Sequence, residues 1–161
     1  MITLYVTGQS EVMARLQRLN DRLQPEMRTG MERLTVKLQT KVRAEKLSGQ
    51  ALHVRTGRLR NSIARDVINE GLTVTGLVST AVKYAKAHEY GFHGTVSVRE
   101  HMRTQKQAFG RPIEPVEVTV REHSMKMNLP ERSFLRSALM EMESAGIIRM
   151  EMEEAVARAA S

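Results

Sequence analysis

The chain has 161 residues, a net charge of +7 and no cysteine. This length favours one domain with a modest core, and the absence of cysteine excludes a disulfide framework and thiol catalysis. The positive charge is compatible with a nucleic-acid partner or an acidic protein partner, and it does not decide between them.

The N-terminal segment predicts a strand followed by helices. Residues 2–6, ITLYV, are a short β-rich run, and apolar residues then recur at spacings of three and four from Val12 to Val42, as in an amphipathic helix. Pro25 interrupts this pattern. Because proline breaks a helix interior but suits a first turn, we expect one helix to end near residue 22 and a second to span 25–47.

The middle of the chain predicts a loop, a hairpin and a short helix. Turn residues mark 47–62 as a loop, and two β-rich runs flank the sequence NEG at 69–71. A short helix then ends at Gly91. His88 and His93 in the stretch HEYGFH are five residues apart, so on a helix they point about 140° away from each other. This spacing excludes the helical zinc-protease signature, and we expect no metal site.

Residues 94–129 contain a short internal repeat, VSVREH at 96–101 and VTVREH at 118–123. Both copies alternate apolar and polar residues, so we predict a long β-hairpin, and the glycine and prolines between them favour a wide, irregular tip. The repeat reflects either a shared functional demand or two strands with similar surroundings. We expect one face to carry the valines, including Val116, and the other to carry the basic residues. The residues of this candidate assembly arm are Val96, Val98, Arg99, His101, Arg103, Val118, Val120, Arg121 and His123.

The C-terminal segment predicts one or two helices. Ser133 is a candidate N-cap for a helix that begins with Phe134 and Leu135, and Gly146 either bends this helix or separates it from a last one. The order of elements predicts an α+β fold. We expect a single domain over 1–161, with N-terminal amphipathic helices and a C-terminal helix packed on an antiparallel sheet, and a long protruding hairpin inserted at 94–129.

Known catalytic frameworks are missing from the sequence. It has no glycine-rich phosphate loop and no G-x-S-x-G nucleophile turn. We therefore expect no enzymatic activity, no cofactor and no metal. No apolar run approaches the roughly 20 residues that cross a bilayer, and the N-terminus lacks the features of a signal peptide, so we expect no membrane contact and synthesis in a cytoplasm.

Three stretches in a fixed order carry a resemblance to a known family: TGRLRNSI at 56–63, YAKAHEYG at 84–91 and PERSFLRSAL at 130–139. Together they resemble the minor tail-component or tail-completion proteins of long-tailed bacteriophages, which act at the head–tail junction or the top of the tail. With the N-terminal helices, the resemblance covers nearly the whole chain except 94–129. The matching positions, which we interpret as packing or interface residues, are Thr56, Gly57, Arg58, Leu59, Ser62, Tyr84, Ala85, Glu89, Tyr90, Gly91, Pro130, Arg132, Phe134 and Leu135.

The resemblance implies a non-enzymatic virion protein that is made in the host cytoplasm and resides in the neck or tail. It implies a homo-oligomeric ring between portal-side connector proteins and tail-tube or terminator proteins. The basic residues of the ring would face either genomic DNA in a central channel or an acidic neighbouring ring. Within the matching stretches we expect Tyr84 and Tyr90 to pack, and Glu89 to pair with Arg58 or Arg132. The alternatives are a sequence-nonspecific nucleic-acid-binding protein of phage or prophage origin and, less favoured by the residues, a metal-dependent hydrolase.

Overall fold

The computed structural model describes residues 9–71 and 73–160. The predicted first strand at 2–6 lies outside these residues. The chain has a mixed α+β fold with antiparallel strand pairs, which confirms the predicted fold class. In chain order the elements are α1 Gln9–Lys41, a wide π-type turn Val42–Gln50, α2 Arg58–Asn61, β1 Ile63–Glu70, β2 Thr73–Thr80, α3 Ala85–Tyr90, β3 Phe92–Val98, β4 His101–Ala108, β5 Arg111–Val120, β6 His123–Leu129, α4 Leu135–Ser144 and α5 Ile147–Ala160.

The chain divides into two compact units. The first contains the residues up to Ala85 together with those from Arg132 onward, and the second is Lys86–Glu131. We call the first the helical unit, since it holds α1, α4 and α5 around the β1–β2 hairpin.

Helix α1 runs without a break from Gln9 to Lys41 and includes Pro25, so the predicted division of this segment into two helices is wrong. Proline lacks an N–H, and this leaves the carbonyl of Asp21 without its helical donor. Both residues are exposed, so water can satisfy that carbonyl. The hydroxyl of Thr29 also donates to the Pro25 carbonyl at 2.9 Å, which supports the turn that follows.

Two glycines allow neighbouring elements to approach α1 closely. A Cβ at Gly76 of β2 would lie 2.6 Å from Met31 Sδ and 2.7 Å from Thr35 Cγ2, so no side chain fits between β2 and α1. A Cβ at Gly30 of α1 would lie 3.3 Å from the Cβ of Ala155 in α5. The β1–β2 hairpin was predicted correctly, and its ladder runs from the Ile63↔Thr80 pair to the Glu70↔Thr73 pair.

The core of the helical unit surrounds Phe134, which is fully buried. Helix α4 begins one residue later, and Ser133 supports this start because its Oγ accepts the backbone N–H of Ser137 at 3.3 Å. Gly146 has a φ of +72° and separates α4 from α5. The buried residues that form the core cluster are Val42, Leu47, Ile63, Ala85, Phe134 and Ala138.

A buried carboxylate fixes α5 against α1. The Glu151 side chain is only 3% exposed, and it accepts hydrogen bonds from Lys37 at 2.6 Å and from Arg33 at 3.4 Å. The hydrogen bond from Lys37 lowers the pKa of Glu151 below its usual value, although burial acts in the opposite direction. Farther along α5, Arg158 donates to Glu26 of α1 at 2.9 Å.

A second ionic contact joins α4 to the end of α1. The ammonium of Lys46, which is buried in the wide turn, donates to Glu141, and Lys41 lies 3.0 Å from the same carboxylate. Both hydrogen bonds lower the pKa of Glu141, and the bond from Lys46 has the larger effect. The wide turn is thereby tied to both helices.

Replacing Phe134 by alanine should leave a cavity in the core. We expect Phe134→Ala to lower the free energy of unfolding by about 3–5 kcal/mol, measured by urea denaturation. Leu139→Ala on the same helix is the matched control, because Leu139 is 45% exposed, and it should cost no more than about 0.5 kcal/mol. Equal losses in the two variants would contradict the placement of Phe134 in the core.

The ionic contact of Glu151 should make the stability of the protein depend on pH. The folded pKa of Glu151 is lowered from 4.5, so its contribution is present above the unfolded pKa and is lost as the pH falls through the folded pKa. Glu151→Gln should therefore be less stable than the wild type at pH 7, by about 1–3 kcal/mol, and the difference should shrink below pH 4. A difference that stays constant between pH 7 and pH 3 would contradict this account.

Candidate functional site

The second unit consists mainly of a long two-stranded ribbon, which we define as residues 92–129. β3 pairs with β6 from Phe92↔Leu129 to Val98↔His123. After an interruption, β4 pairs with β5 from His101↔Val120 to Ala108↔Arg111. Strands of seven and eight residues on one leg, at about 3.3 Å per residue, give the ribbon a length of roughly 50 Å. The predicted hairpin exists and is longer than the predicted strands.

The tip of the ribbon is a tight two-residue turn at Phe109 and Gly110, so the predicted wide tip is wrong. Their φ angles are +51° and +78°, the conformation of a type I′ hairpin turn. The irregularity lies inside the ladder instead, where the register shifts between Gln105 and Gln107. The opposite strand contains Pro115 at this level, and proline cannot donate a ladder hydrogen bond.

The repeat lies opposite itself at the interruption of the ribbon. Val98 pairs with His123 and His101 pairs with Val120, so the two copies lie antiparallel beside each other across the unpaired Arg-Glu steps. In each copy the histidine Nδ1 lies close to the carbonyl of the arginine two residues earlier, at 3.0 Å for His101 and 2.9 Å for His123. The repeated sequence therefore marks two equivalent structural positions.

The faces of the ribbon differ from the prediction. Residues directly opposite each other in a ladder project from the same face. Val98 therefore shares a face with His123, and Val120 shares one with His101. The predicted separation of valines from basic residues is wrong, because the register places each of these valines across from a long polar side chain.

No residue of the ribbon is buried. Val96, Val98, Val118 and Val120 are half-buried, whereas Val116 is 51% exposed. Near the base of the ribbon, the pairs Phe92↔Leu129 and Val96↔Met125 lie on the same face as Val98 and add to its apolar area. The ribbon thus presents apolar side chains that its own two strands do not cover.

The EYG stretch leads from α3 into the ribbon. Gly91 has a φ of +75°, and a Cβ there would lie 3.0 Å from the carbonyl oxygen of Leu129 and 3.1 Å from the nitrogen of Glu131. Only glycine avoids both the strained conformation and the contact. The stretch therefore sets the start of the β3–β6 ladder.

The aromatic residues around this stretch are more exposed than predicted. Ala85 and Glu89, one helical turn apart, are the buried positions of α3, so the ring of Tyr90 lies on a different side of the helix and is 63% exposed. Tyr84 precedes the helix and is 43% exposed. The pairing of Glu89 with Arg58 or Arg132 stays a prediction.

The TGRLRNSI stretch forms a one-turn helix that leads into β1. Gly57 has a φ of +73° before α2, a helix that the predicted loop did not include. Thr56 Oγ1 accepts the N–H of Arg58 at 3.4 Å. The hydroxyl of Ser62 donates to the Leu59 carbonyl at 2.8 Å and lies 2.7 Å from that of Thr80 on β2. Leu59 packs on the core cluster, so this stretch organises the helical unit.

The PERSFLRSAL stretch supplies core residues. Phe134 is buried and Leu135 packs beside the cluster, whereas Pro130 and Arg132 are exposed or partly exposed at its start. Among the described residues, the structure holds no group of three histidine, cysteine or acidic side chains arranged to bind a metal. The two histidines of HEYGFH lie on α3 and β3, respectively.

Two other surfaces of the helical unit are open. A groove of about 560 Å³ between α1 and β1 is lined by Arg28, Glu32, Arg43 and Asp66 among others, but the Arg43 guanidinium is engaged with the Ile63 carbonyl at 2.6 Å. The first part of α1, Gln9 to Arg22, is exposed throughout. Its apolar stripe, which includes Val12 and Leu16, is therefore uncovered.

Of the helices that the structure describes, none combines the length and apolarity needed to cross a bilayer.

Comparisons with protein-family models, with curated proteins and with solved structures gave no match to this chain. Support for a function therefore comes from the residues and their geometry.

Replacing Gly91 should disturb the base of the ribbon. Gly91→Ala combines a left-handed backbone with the contact to Leu129, so we expect looser β3–β6 pairing and faster tryptic cleavage after Arg99 and Arg121. Gly110→Ala is the matched control, since its φ of +78° is similar and nothing lies within 4 Å of the added Cβ. Cleavage at the same rate in the two variants would show that the contact at Gly91 does not affect the pairing of β3 with β6.

Proposed function

We propose that the chain is a non-enzymatic assembly protein of a long-tailed phage, acting at the head–tail junction or at the top of the tail. The ordered stretches TGRLRNSI, YAKAHEYG and PERSFLRSAL support the assignment to this class of protein. The geometry adds a helical unit with its own core and a long ribbon without one. Such a division suits a protein that works by contacts between subunits.

The observation that carries the proposal is the apolar face at the base of the ribbon, formed by Phe92, Val96, Val98, Met125 and Leu129. An isolated two-stranded hairpin is marginally stable in water, and a contiguous exposed apolar surface is typical of an interaction site. Both edges of a two-stranded ladder also retain unpaired backbone groups. A neighbouring subunit that covers this apolar face removes its area from water and stabilises the ladder.

The mode of assembly follows from the asymmetry of the chain. The ribbon face and the surface that receives it are different surfaces, so repeated contacts between copies are heterologous and close into a ring when the rotation permits. In this proposal the ring joins portal-side connector proteins to tail-tube or terminator proteins, within the virion. The exposed stripe on the first part of α1 is a second surface available for such contacts.

A truncation at the interruption tests the proposal. Residues 99–122 are replaced by Asn-Gly, which forms a two-residue hairpin turn between the paired residues Val98 and His123. The helical unit should keep its melting temperature, whereas the oligomer measured by native mass spectrometry, and the completion of infectious particles in an extract lacking the wild-type protein, should both be lost. A truncated chain that still assembles would refute the proposal, and one that cannot fold would show that the ribbon belongs to the core.

Point substitutions separate the apolar face from the length of the ribbon. Val98→Thr with Val120→Thr keeps the branched shape and lowers the apolar area, so we expect weaker assembly and an unchanged core. The control, Ser97→Thr with Thr119→Ser, changes the neighbouring positions on the opposite face. Assembly that responds equally to both pairs of substitutions would contradict a role for Val98 and Val120.

A further inference from the structure

The tip of the ribbon presents an aromatic ring in an unusual backbone position. Phe109 is fully exposed and has a φ of +51° in a two-residue turn. Such positions favour asparagine, aspartate or glycine, and the left-handed conformation costs a non-glycine residue roughly 1–2 kcal/mol. The ring gains no burial that offsets this cost. Its placement at an outlier position therefore suggests a contact outside the chain.

Cationic side chains outnumber carboxylates in the half of the ribbon that carries this ring. From His101 to Ile113 the charged side chains are Arg103, Lys106 and Arg111, and all three are exposed. Two carboxylates, Glu114 and Glu117, follow on the opposite strand, and Glu117 pairs with Thr104, next to Arg103. Within the described residues, none of the three cations takes part in a salt bridge.

We infer that the tip binds a nucleic-acid strand, with the three cations on its phosphates and the ring of Phe109 on the face of a base. Positive side chains that follow a backbone, combined with an aromatic ring for stacking, are the features that bind single strands without sequence preference. The amides of Gln105 and Gln107 also flank the tip. This polar setting leaves little apolar area for insertion into a lipid bilayer, where binding scales with buried apolar surface.

The shape of the segment fits this partner. A two-stranded ribbon is narrow enough to enter the major groove of a duplex, and its tight turn places the ring at the extreme end. Stacking on a paired base requires unstacking of the duplex, which costs a few kcal/mol, whereas an unpaired base is already available. The tip should therefore bind a single strand more tightly than a duplex. The inference stands apart from the assembly proposal, because binding by the isolated protein does not require a ring.

The chain contains no tryptophan, so Phe109→Trp places a single fluorescent reporter at the tip of the full-length protein. We expect oligo(dT) of twenty nucleotides to quench its emission at low salt, and a twenty-base-pair duplex to quench it less. The affinity of the wild type for labelled oligo(dT), measured by fluorescence anisotropy, should fall about tenfold in Phe109→Ala and be retained in Phe109→Trp, since stacking on one ring is worth about 1–3 kcal/mol.

Two further variants separate the ring from the turn and from the charge. Phe109→Asn improves the turn residue and removes the ring, so an equal loss of affinity shows that the effect does not arise from a disordered tip. Arg111→Gln should reduce the slope of log affinity against log salt by about 0.7, the value for one phosphate contact on a single strand. Arg15→Gln, an exposed position on α1, is the matched control and should leave the affinity unchanged.

Several outcomes would overturn the inference. Equal affinity in the wild type and Phe109→Ala, or equal losses in Arg111→Gln and Arg15→Gln, would show only general attraction to a basic chain. A blue shift of the tryptophan with anionic phospholipid vesicles and no response to oligo(dT) would identify a lipid surface as the partner. An emission change that depends on protein concentration alone would identify a second copy of the chain.

Discussion

Two paired strands have two faces and no interior, and this constraint governs the ribbon. Its backbone hydrogen bonds are made within the ladder from Phe92↔Leu129 to Ala108↔Arg111. Its side chains are exposed or half-buried, and none of them is buried. The ribbon is therefore ordered by its ladder but lacks the hydrophobic term that dominates the stability of folded domains. In the proposed assembly, a neighbouring subunit would supply that term.

The helical unit satisfies the same requirement within the chain. Helix α1 has the β1–β2 hairpin on one side and α5 on another, and the missing side chains of Gly76 and Gly30 permit these close approaches. Phe134 fills the space between the end of α1, β1 and α4, while Glu151 is held by cations of α1. Packing and charge pairing thus act on the same helices.

The sequence predicted those features that local chemistry determines. Glycine located the end of α3 at Gly91, and it marked Gly146 as either a bend or a break, of which the structure shows the break between α4 and α5. Alternating β-rich residues predicted the β1–β2 hairpin. Pro25 misled the prediction, because its cost inside a helix depends on whether solvent reaches the freed carbonyl, and the sequence does not show exposure. The partners of Glu151 are more than a hundred residues away in the chain, and no periodic pattern indicates them.

The sequence predicted the presence of the hairpin that forms the candidate site, but it did not predict which residues of its two strands pair. The repeat correctly located the paired strands, but the pairing of Val98 with His123 depends on which two residues form the turn. Phe109 gave no signal of a type I′ turn, since that turn is recognised by asparagine or aspartate before glycine. Pro112 and Pro115 favoured a wide tip, although the ladder absorbs its irregularity as a register shift before the turn. The strand pattern alone implied that the valines of the ribbon are covered. Their exposure depends on three-dimensional packing, which the pattern does not contain.

Hydrogen exchange of the backbone amides tests the dependence of the ribbon on a partner most directly. The account predicts that the amides of β3–β6 and β4–β5 exchange rapidly in dilute monomer and become protected in the assembled oligomer, while those of β1–β2 keep the same strong protection in both states. Ribbon amides that are as protected in the monomer as those of β1–β2, and that do not change on assembly, would contradict it.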